Sequence, residues 1–500
     1  MITARPRPQF ADALAGFSVA LLLIPQSLAY AQIAGMPPVT GLFASALPLI
    51  VFAPFASSPY LQTGPVTLTS LLTFATLHGA GFVSGNPDYI AMGGLLAVLV
   101  GVFRLVLGLL RAGWVAYLIV QPVLLGFTSA AAMLILFSQL PTALGNSRRV
   151  PGTSTLGDAV WSVSHPGTWH PSAVFLSIAT VVVMIGGRRI HQLFPGVALA
   201  VVIGLVYSAV VPDPGLIVGD PTGLPEGFPS LSLDLPWGSI GTLWVGALII
   251  ALVGFAEPAA IARVFAAEDK TTWDANRELV SQGLANITAG FSGAFPVGGS
   301  FSRSSVNRMS GARTRWSGGA TGLVVVAFLP FAAVLDPLPQ AVLGAVVIAA
   351  VLGLLNLRGL FGLHRKSPTD AALGWSTWGA TLLLAPNVQW GVLIGLAATV
   401  AAQLVRPVRV GRRIHRSEPP MRSGEERIVV DGLLWLGSHG RFERHMSKVV
   451  ADNPGCRIVV DLGPLSVTEP RLEELVERLH TRAETDGGSV VLATEAPAVP

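Results

Sequence analysis

The sequence predicts an all-α polytopic membrane region followed by a small α/β domain. Three observations carry this. Of the 500 residues, 51% are hydrophobic and 12% charged, about half the charge of a soluble globular domain. Mean hydropathy is +0.62, and apolar runs of roughly 20 residues, each able to cross a bilayer as a helix, recur along most of the chain. From about residue 406 the composition becomes charged and ordinary.

In chain order, about fourteen spans are expected, starting near 11, 39, 65, 89, 114, 173, 193, 240, 276, 300, 317, 339, 370 and 389. The first apolar segment, Ala11 to Ala34, is too long for a cleaved signal peptide. Its centre carries Pro25 and Gln26, and many spans follow it. With the N-terminus inside, the basic groups Arg188-Arg189, Arg263 to Arg277, Arg308 to Arg315 and Arg358 to Lys366 fall on inside loops. So do Arg406, Arg409, Arg412 and Arg413, while the outside loop 212–238 holds Asp213, Asp220, Glu226 and Asp234 and no Lys or Arg. This is the positive-inside pattern; Arg148 and Arg149 are its exception. The expected division is a membrane region 1–405 (halves about 10–211 and 239–405), a basic linker 406–424 and a cytoplasmic domain 425–500. That domain reads as strands near 427–436, 457–461 and 489–493, with amphipathic helices near 440–451 and 470–484.

Several classes drop out. Cys456 is the single cysteine, so there is no intramolecular disulfide and no CxxC metal site. The basic balance follows the loops as topology signals do and does not imply nucleic acid. Lysine occurs only at Lys270, Lys366 and Lys448, an arginine bias that fits a GC-rich bacterial genome. No HExxH, GxSxG or Walker A pattern is present, so neither an enzyme nor a cofactor is expected.

An internal repeat points to the functional centre. SPYLQTGPVTLTSLLT (58–73) and AFPVGGSFSRSSVNRM (294–309) share one shape: an extended segment, a Gly or Pro break, then a short helix. Leu21 to Ala34, broken by Pro25-Gln26, matches Leu252 to Val264 with Glu257-Pro258 in the same way. Two halves of about seven spans insert with opposite orientation, and matched interruptions in such halves point to a transport site. A helix that starts in mid-membrane leaves N–H groups unpaired and carries a partial positive charge there. Pro65 suits a first turn, and Ser300 and Ser302 are candidate caps. Two such starts meeting near the midplane make an anion site.

Arg303 adds a full charge to that site, and a charge at such depth is expensive enough to imply function. Anion binding, an ion pair with Glu257 and interface placement are its open roles. Arg104 is the better candidate for snorkelling to the interface. Glu257 lies midway along an apolar helix. If it is neutral while the anion is bound and gives up its proton elsewhere in the cycle, it couples proton and anion movement. A sodium ligand, an ion-pair partner or a neutral acid satisfying the backbone near Pro258 are its other roles. Gln26, Tyr30 and Gln32 stand on the first span and could line the pocket; His78, His191 and Asn286 read as structural.

IPQSLAYAQIAGMPPVTGLFASALP (24–48) and GAFPVGGSFSRSSVNRMSGARTRWSG (293–318) resemble the signatures of the sulfate permease (SulP) family. RIVVDGLLWLGSHGRFERHM and CRIVVDLGPLSVTEPRLEELVERL resemble a STAS domain. The resemblance implies fourteen spans in two inverted seven-span repeats, core and gate domains, a homodimer, and an anion site between spans one, three, eight and ten. Carried over, it places Tyr30 on span one, Pro65, Val66 and Thr67 at the start of span three, Glu257 on span eight, and Ser302 with Arg303 on span ten. Ser300 and Phe301 flank that pair. The stretch Leu465 to Arg471 has Pro and Arg where phosphorylated bacterial relatives carry a serine, so a phosphoserine switch is not expected.

The function expected is therefore secondary transport of a small anion (sulfate, bicarbonate, chloride or a dicarboxylate), with proton symport by alternating access, in a bacterial inner membrane with both termini cytoplasmic. The partners expected are the anion, H+, the lipid bilayer, a second copy of the chain and a cytoplasmic protein at the STAS domain. Sodium coupling, exchange, a channel and an anion sensor acting through the STAS domain are the alternatives.

Overall fold

The computed structural model describes residues 8–84, 86–113, 115, 121–146, 155–190, 194–211, 217, 227–229, 231–269, 271, 273–366, 368–385, 388–405, 413–416, 425–431, 455–461, 477, 479–481, 483–484 and 488–493. The expected helix at 440–451, most of the outside loop 212–238, and Arg148, Arg149, His191 and Leu465 to Arg471 lie outside the described residues. Packing divides the chain into two units, Met1–Leu396 and Ala397–Pro500.

The first unit is helical. Its elements are α1 (Phe10–Ile33), α2 (Pro38–Ser45), α3 (Leu47–Phe52), β1 (Thr63–Gly64), α4 (Thr67–Gly79), α5 (Pro87–Leu109), α6 (Gln121–Ala143), α7 (Thr155–Ser164), α8 (Pro171–Ile190) and α9 (Gly196–Val210). The second half of the chain adds α10 (Ile240–Glu268), α11 (Ala275–Phe291), β2 (Gly298–Gly299), α12 (Phe301–Met309), α13 (Trp316–Phe328), α14 (Gln340–Leu352), α15 (Leu357–Lys366), α16 (Pro368–Leu383) and α17 (Gln389–Val405). The boundary between the units falls inside α17.

Helices begin close to the expected starts, save the fifth, which begins at Gln121 instead of near 114. Six helical stretches among the described residues are long and apolar enough to cross a membrane: Phe10–Ile33, Asp88–Leu109, Pro122–Ala143, Trp237–Ala266, Trp316–Leu335 and Gln340–Arg365. Shorter apolar helices cover Pro38–Phe52, Pro171–Gly187, Gly196–Val210 and Trp390–Thr399. Large apolar side chains such as Phe175, Val182, Val206, Leu323 and Leu383 are exposed, as lipid contact requires and water would penalise.

Two helices, α7 and α15, stand where the sequence was expected to form loops. In α15 the cause is amphipathicity. Leu360 and Leu363 are buried against Leu125, Trp375 and Trp378, while Arg358, His364 and Arg365 supply polar positions.

The helices of this unit pack in two groups, each drawn from both halves of the chain. One joins α1–α5 with α10–α13; the other joins α6–α9 with α14–α16. In lipid the hydrophobic effect does not drive helices together, so close backbone approach does. The α5–α11 seam is the clearest case. A Cβ at Gly101 would lie 2.6 Å from the Gly283 carbonyl oxygen, and one at Gly290 would lie 2.4 Å from that of Gly94. Polar anchors fix other joints. The buried Asp12 of α1 accepts from the Arg313 and Thr314 backbone N–H groups, both at 2.8 Å, and from the Thr314 hydroxyl at 2.7 Å.

The second unit carries a sheet in the order β3 (Arg413–Arg416), β4 (Glu425–Asp431), β5 (Arg457–Asp461), β6 (Ser489–Ala493). β3 runs antiparallel to β4, and β4, β5 and β6 are parallel. β3 lies within the stretch expected to be a basic linker, 406–424. Arg413 pairs with Asp431 in its register, and β3 is an edge strand of the sheet.

Candidate functional site

The repeated segments at 58–73 and 294–309 meet. β1 and β2 pair antiparallel, Thr63 opposite Gly299 and Gly64 opposite Gly298. Extended backbone at membrane depth must be satisfied by protein, and here it is. The Ser300 N–H donates to the Gln62 carbonyl at 3.1 Å, and the Gln62 N–H to the Ser304 hydroxyl at 3.0 Å. On the far side α11 supplies amides. The Gln282 side chain donates to the Thr63 hydroxyl at 2.8 Å, and Asn286 bonds both the N–H and the carbonyl of Val297, at 2.9 and 3.1 Å.

A helix leaves each strand, so two helix N-termini flank one ladder. α4 starts at Thr67 with Val66 as its N-cap residue. Pro65 therefore precedes the cap instead of opening the helix as expected. Its ring suits the strand exit, and its carbonyl becomes an acceptor. α12 starts at Phe301 with Ser300 as the cap, its hydroxyl accepting from the Arg303 N–H. Ser302 is exposed inside the first turn and does not cap, contrary to expectation. Its hydroxyl follows the helix start, and the capping position belongs to the extended residue before it.

Arg303 reaches back across the ladder. It is 1% exposed, and its Nη1 donates to the Pro65 carbonyl at 2.9 Å. Its Nε and Nη2 are buried without a partner among the described residues. Tyr30 on α1 and Glu257 on α10 are ionisable side chains near it. The Glu257 carboxyl faces the Phe301 backbone N–H, and no ion pair joins it to Arg303 among the described residues. Gln26 is buried on the same helix as Tyr30. Phe301 is half-exposed and stacks on Phe265 of α10, centroids 6.1 Å apart. Gln26, Tyr30, Pro65, Val66, Thr67, Glu257 and the 300–303 segment thus sit on, or immediately before, α1, α4, α10 and α12, which pack together.

Several polar residues of this region were not foreseen. The buried Gln62 amide has no partner among the described residues. Glu278 of α11 accepts from the Ser57 and Ser58 N–H groups at 3.1 and 2.9 Å and from the Trp273 indole at 3.2 Å, fixing the approach to β1. Glu278, Gln282 and Asn286 stand at i, i+4 and i+8 of one helix, a polar stripe legible in the sequence. Arg104 overturns the snorkelling expectation. It is fully buried, because backbone carbonyls of α10 and of the β2 entry offer its guanidinium better partners than the interface does.

An unpaired guanidinium edge between two helix N-termini attracts anions and repels cations. Fold and site define a helical polytopic membrane protein with such a centre. The model of the Sulfate permease family matches residues 10–377, and the chain belongs to that family. It is 35% identical to a probable sulfate transporter of Mycobacterium tuberculosis (strain ATCC 25618 / H37Rv), across 93% of this chain and 87% of that one. It is also 35% identical to the chloroplastic sulfate transporter 4.1 of Arabidopsis thaliana across 78% of its length, spanning 57% of that relative. Among solved structures it is similar to the murine Solute Carrier 26 family member A9 anion transporter, with a TM-score of 0.73, 20% identity, and 99% of this chain and 87% of that one covered. It is also similar to the transmembrane domain of a cyanobacterial bicarbonate transporter, with a TM-score of 0.66, 23% identity, and 78% and 97% covered. At those identities the two structures speak for the fold.

Proposed function

We propose that the chain is a secondary transporter of a small oxyanion, bound between the starts of α4 and α12 and held by Arg303. The observation that carries this is the free Nε and Nη2 edge of a buried guanidinium whose Nη1 is already pinned to Pro65. That edge presents two parallel N–H bonds, which match two oxygens of one sulfate, bicarbonate or carboxylate. A halide offers only one centre to them. Gln26, Tyr30, Val66, Thr67, Ser300, Phe301 and Ser302 shape the pocket around it.

Glu257 is the coupling group. A carboxylate beside the anion would repel it, so symport follows if Glu257 carries a proton while the anion is bound. The remaining features of the reading are fourteen spans in two inverted repeats, an inner-membrane location with cytoplasmic termini, a homodimer, and a STAS-type regulatory role for the C-terminal sheet. They rest on the family membership, the repeat and the loop charges.

The test is uptake of labelled sulfate, bicarbonate, a dicarboxylate and chloride into proteoliposomes, with and without proton and sodium gradients. Saturable oxyanion uptake that an acid exterior drives is expected, with Arg303→Ala abolishing it and Glu257→Gln removing the response to pH. Unchanged uptake by Arg303→Ala would sink the site. A response to sodium and not to protons would move Glu257 to a sodium role.

A further inference from the structure

The transport reading above gives Arg104 no role, yet its guanidinium is far better bonded than that of Arg303. Its Nε donates to the Ala251 carbonyl at 3.2 Å, Nη2 to the Ile250 carbonyl at 3.1 Å and Nη1 to the Val297 carbonyl at 3.0 Å. Gln282 accepts a longer bond from Nη1 at 3.5 Å. No carboxylate pairs with it among the described residues. Gly254 makes the notch the guanidinium fills: a Cβ there would lie 2.6 Å from Nη2.

These acceptors belong to the two arms of the site. Ile250 and Ala251 lie on α10 before Pro258, and Glu257 follows within two turns. Val297 immediately precedes β2, and the chain runs from there through Gly298, Gly299 and the Ser300 cap into Arg303. α5 itself cannot shift easily, because its glycines touch the α11 backbone on either side of Arg104.

We propose that Arg104 is a positioning residue of the anion site: by bracing α10 against the entry of β2, it fixes the separation of Glu257 and Arg303. The claim rests on the transport reading. A planar fork with donors pointing three ways can hold carbonyls on both arms, whereas a lysine ammonium is a point charge and cannot span them. A residue that merely stabilised the bundle would change the amount of folded protein and leave the KM of that protein alone.

The experiment measures initial uptake of labelled sulfate and labelled bicarbonate over a concentration series, in proteoliposomes of Arg104→Lys, Arg104→Gln, Gly254→Ala and Arg303→Ala. Folded protein is quantified by size-exclusion profile and thermal unfolding. All three bracing variants are expected to raise KM, by about tenfold for a displacement well under 1 Å, with a smaller change in maximal rate and no rescue by lysine. Wild-type KM in folded Arg104→Lys or Arg104→Gln overturns the proposal. If neither folds, Gly254→Ala decides: it keeps the arginine and displaces its guanidinium, and an unchanged KM overturns the proposal equally. Arg303→Ala separates the two readings. Wild-type uptake by that variant removes the anion site itself, whereas lost uptake there with unchanged KM in the bracing variants removes only the role of Arg104.

Discussion

Two buried arginines in one helical unit have opposite surroundings. Arg104 has a bond from each of its guanidinium nitrogens, mostly to backbone carbonyls. Arg303 has one bond and two nitrogens with no partner among the described residues. Burying either charge is costly, and only in the first is the cost offset inside the protein. The difference teaches how to separate architecture from chemistry in such a bundle: a satisfied cation holds elements together, and an unsatisfied one awaits a ligand.

The sharpest way to break this contrast is to remove each arginine and measure both stability and transport. Arg303→Ala is expected to cut oxyanion uptake by about a hundredfold or more, since two charged hydrogen bonds of about 1.5–3 kcal/mol each are lost. Its unfolding temperature should stay level or rise, because a buried charge with two unpartnered nitrogens has gone. A large fall in unfolding temperature would place Arg303 with Arg104 as architecture. Next in size is Glu278→Ala, which orphans the Ser57 and Ser58 N–H groups. Each unsatisfied buried donor costs about 1–3 kcal/mol, so thermal unfolding in detergent should fall by several degrees while the KM of folded protein holds. Gly101→Val would force α5 from α11 and should cost about 1–3 kcal/mol by overpacking; unchanged unfolding would show that the seam is looser than its 2.6 Å approach implies. The smallest effect belongs to Ser300→Ala, where the loss of a helix cap costs about 1 kcal/mol. The expected result is a modest rise in KM with near-wild-type stability, read from the same uptake assay.

Much of this arrangement could be read from the sequence because it depends on local signals. The two broken segments are marked by Gly and Pro, and the structure pairs them at Thr63–Gly299 and Gly64–Gly298. The i, i+4 spacing of Glu278, Gln282 and Asn286 is a further cue, and Asn286, read as structural, holds the Val297 backbone. Arg104 was misplaced for a physical reason. Its partners are backbone carbonyls, and every residue has one, so no side-chain pattern marks them. A lone charge in an apolar helix then looks the same whether it snorkels or is braced from within. α15 escaped for a related reason: its charges suggested a loop, and only its contacts with Trp375 and Trp378 reveal the helix face beneath them. Ser302 shows the limit at finer scale, since which of two nearby serines caps a helix depends on where the extended chain ends.

The β1–β2 ladder also constrains how the protein is made. Among the described residues, the strand partners of Thr63 and Gly64 are Gly299 and Gly298. During synthesis the first strand must therefore wait, with its edge open, for roughly ten to fifty seconds at about 5–20 residues per second. Through that interval the early helices have to shelter unpaired polar groups by other means, such as water, the insertion machinery or provisional neighbours. The ladder is thus completed well after its first strand is made, and a chain that ends between the two strands would leave inserted helices without a site.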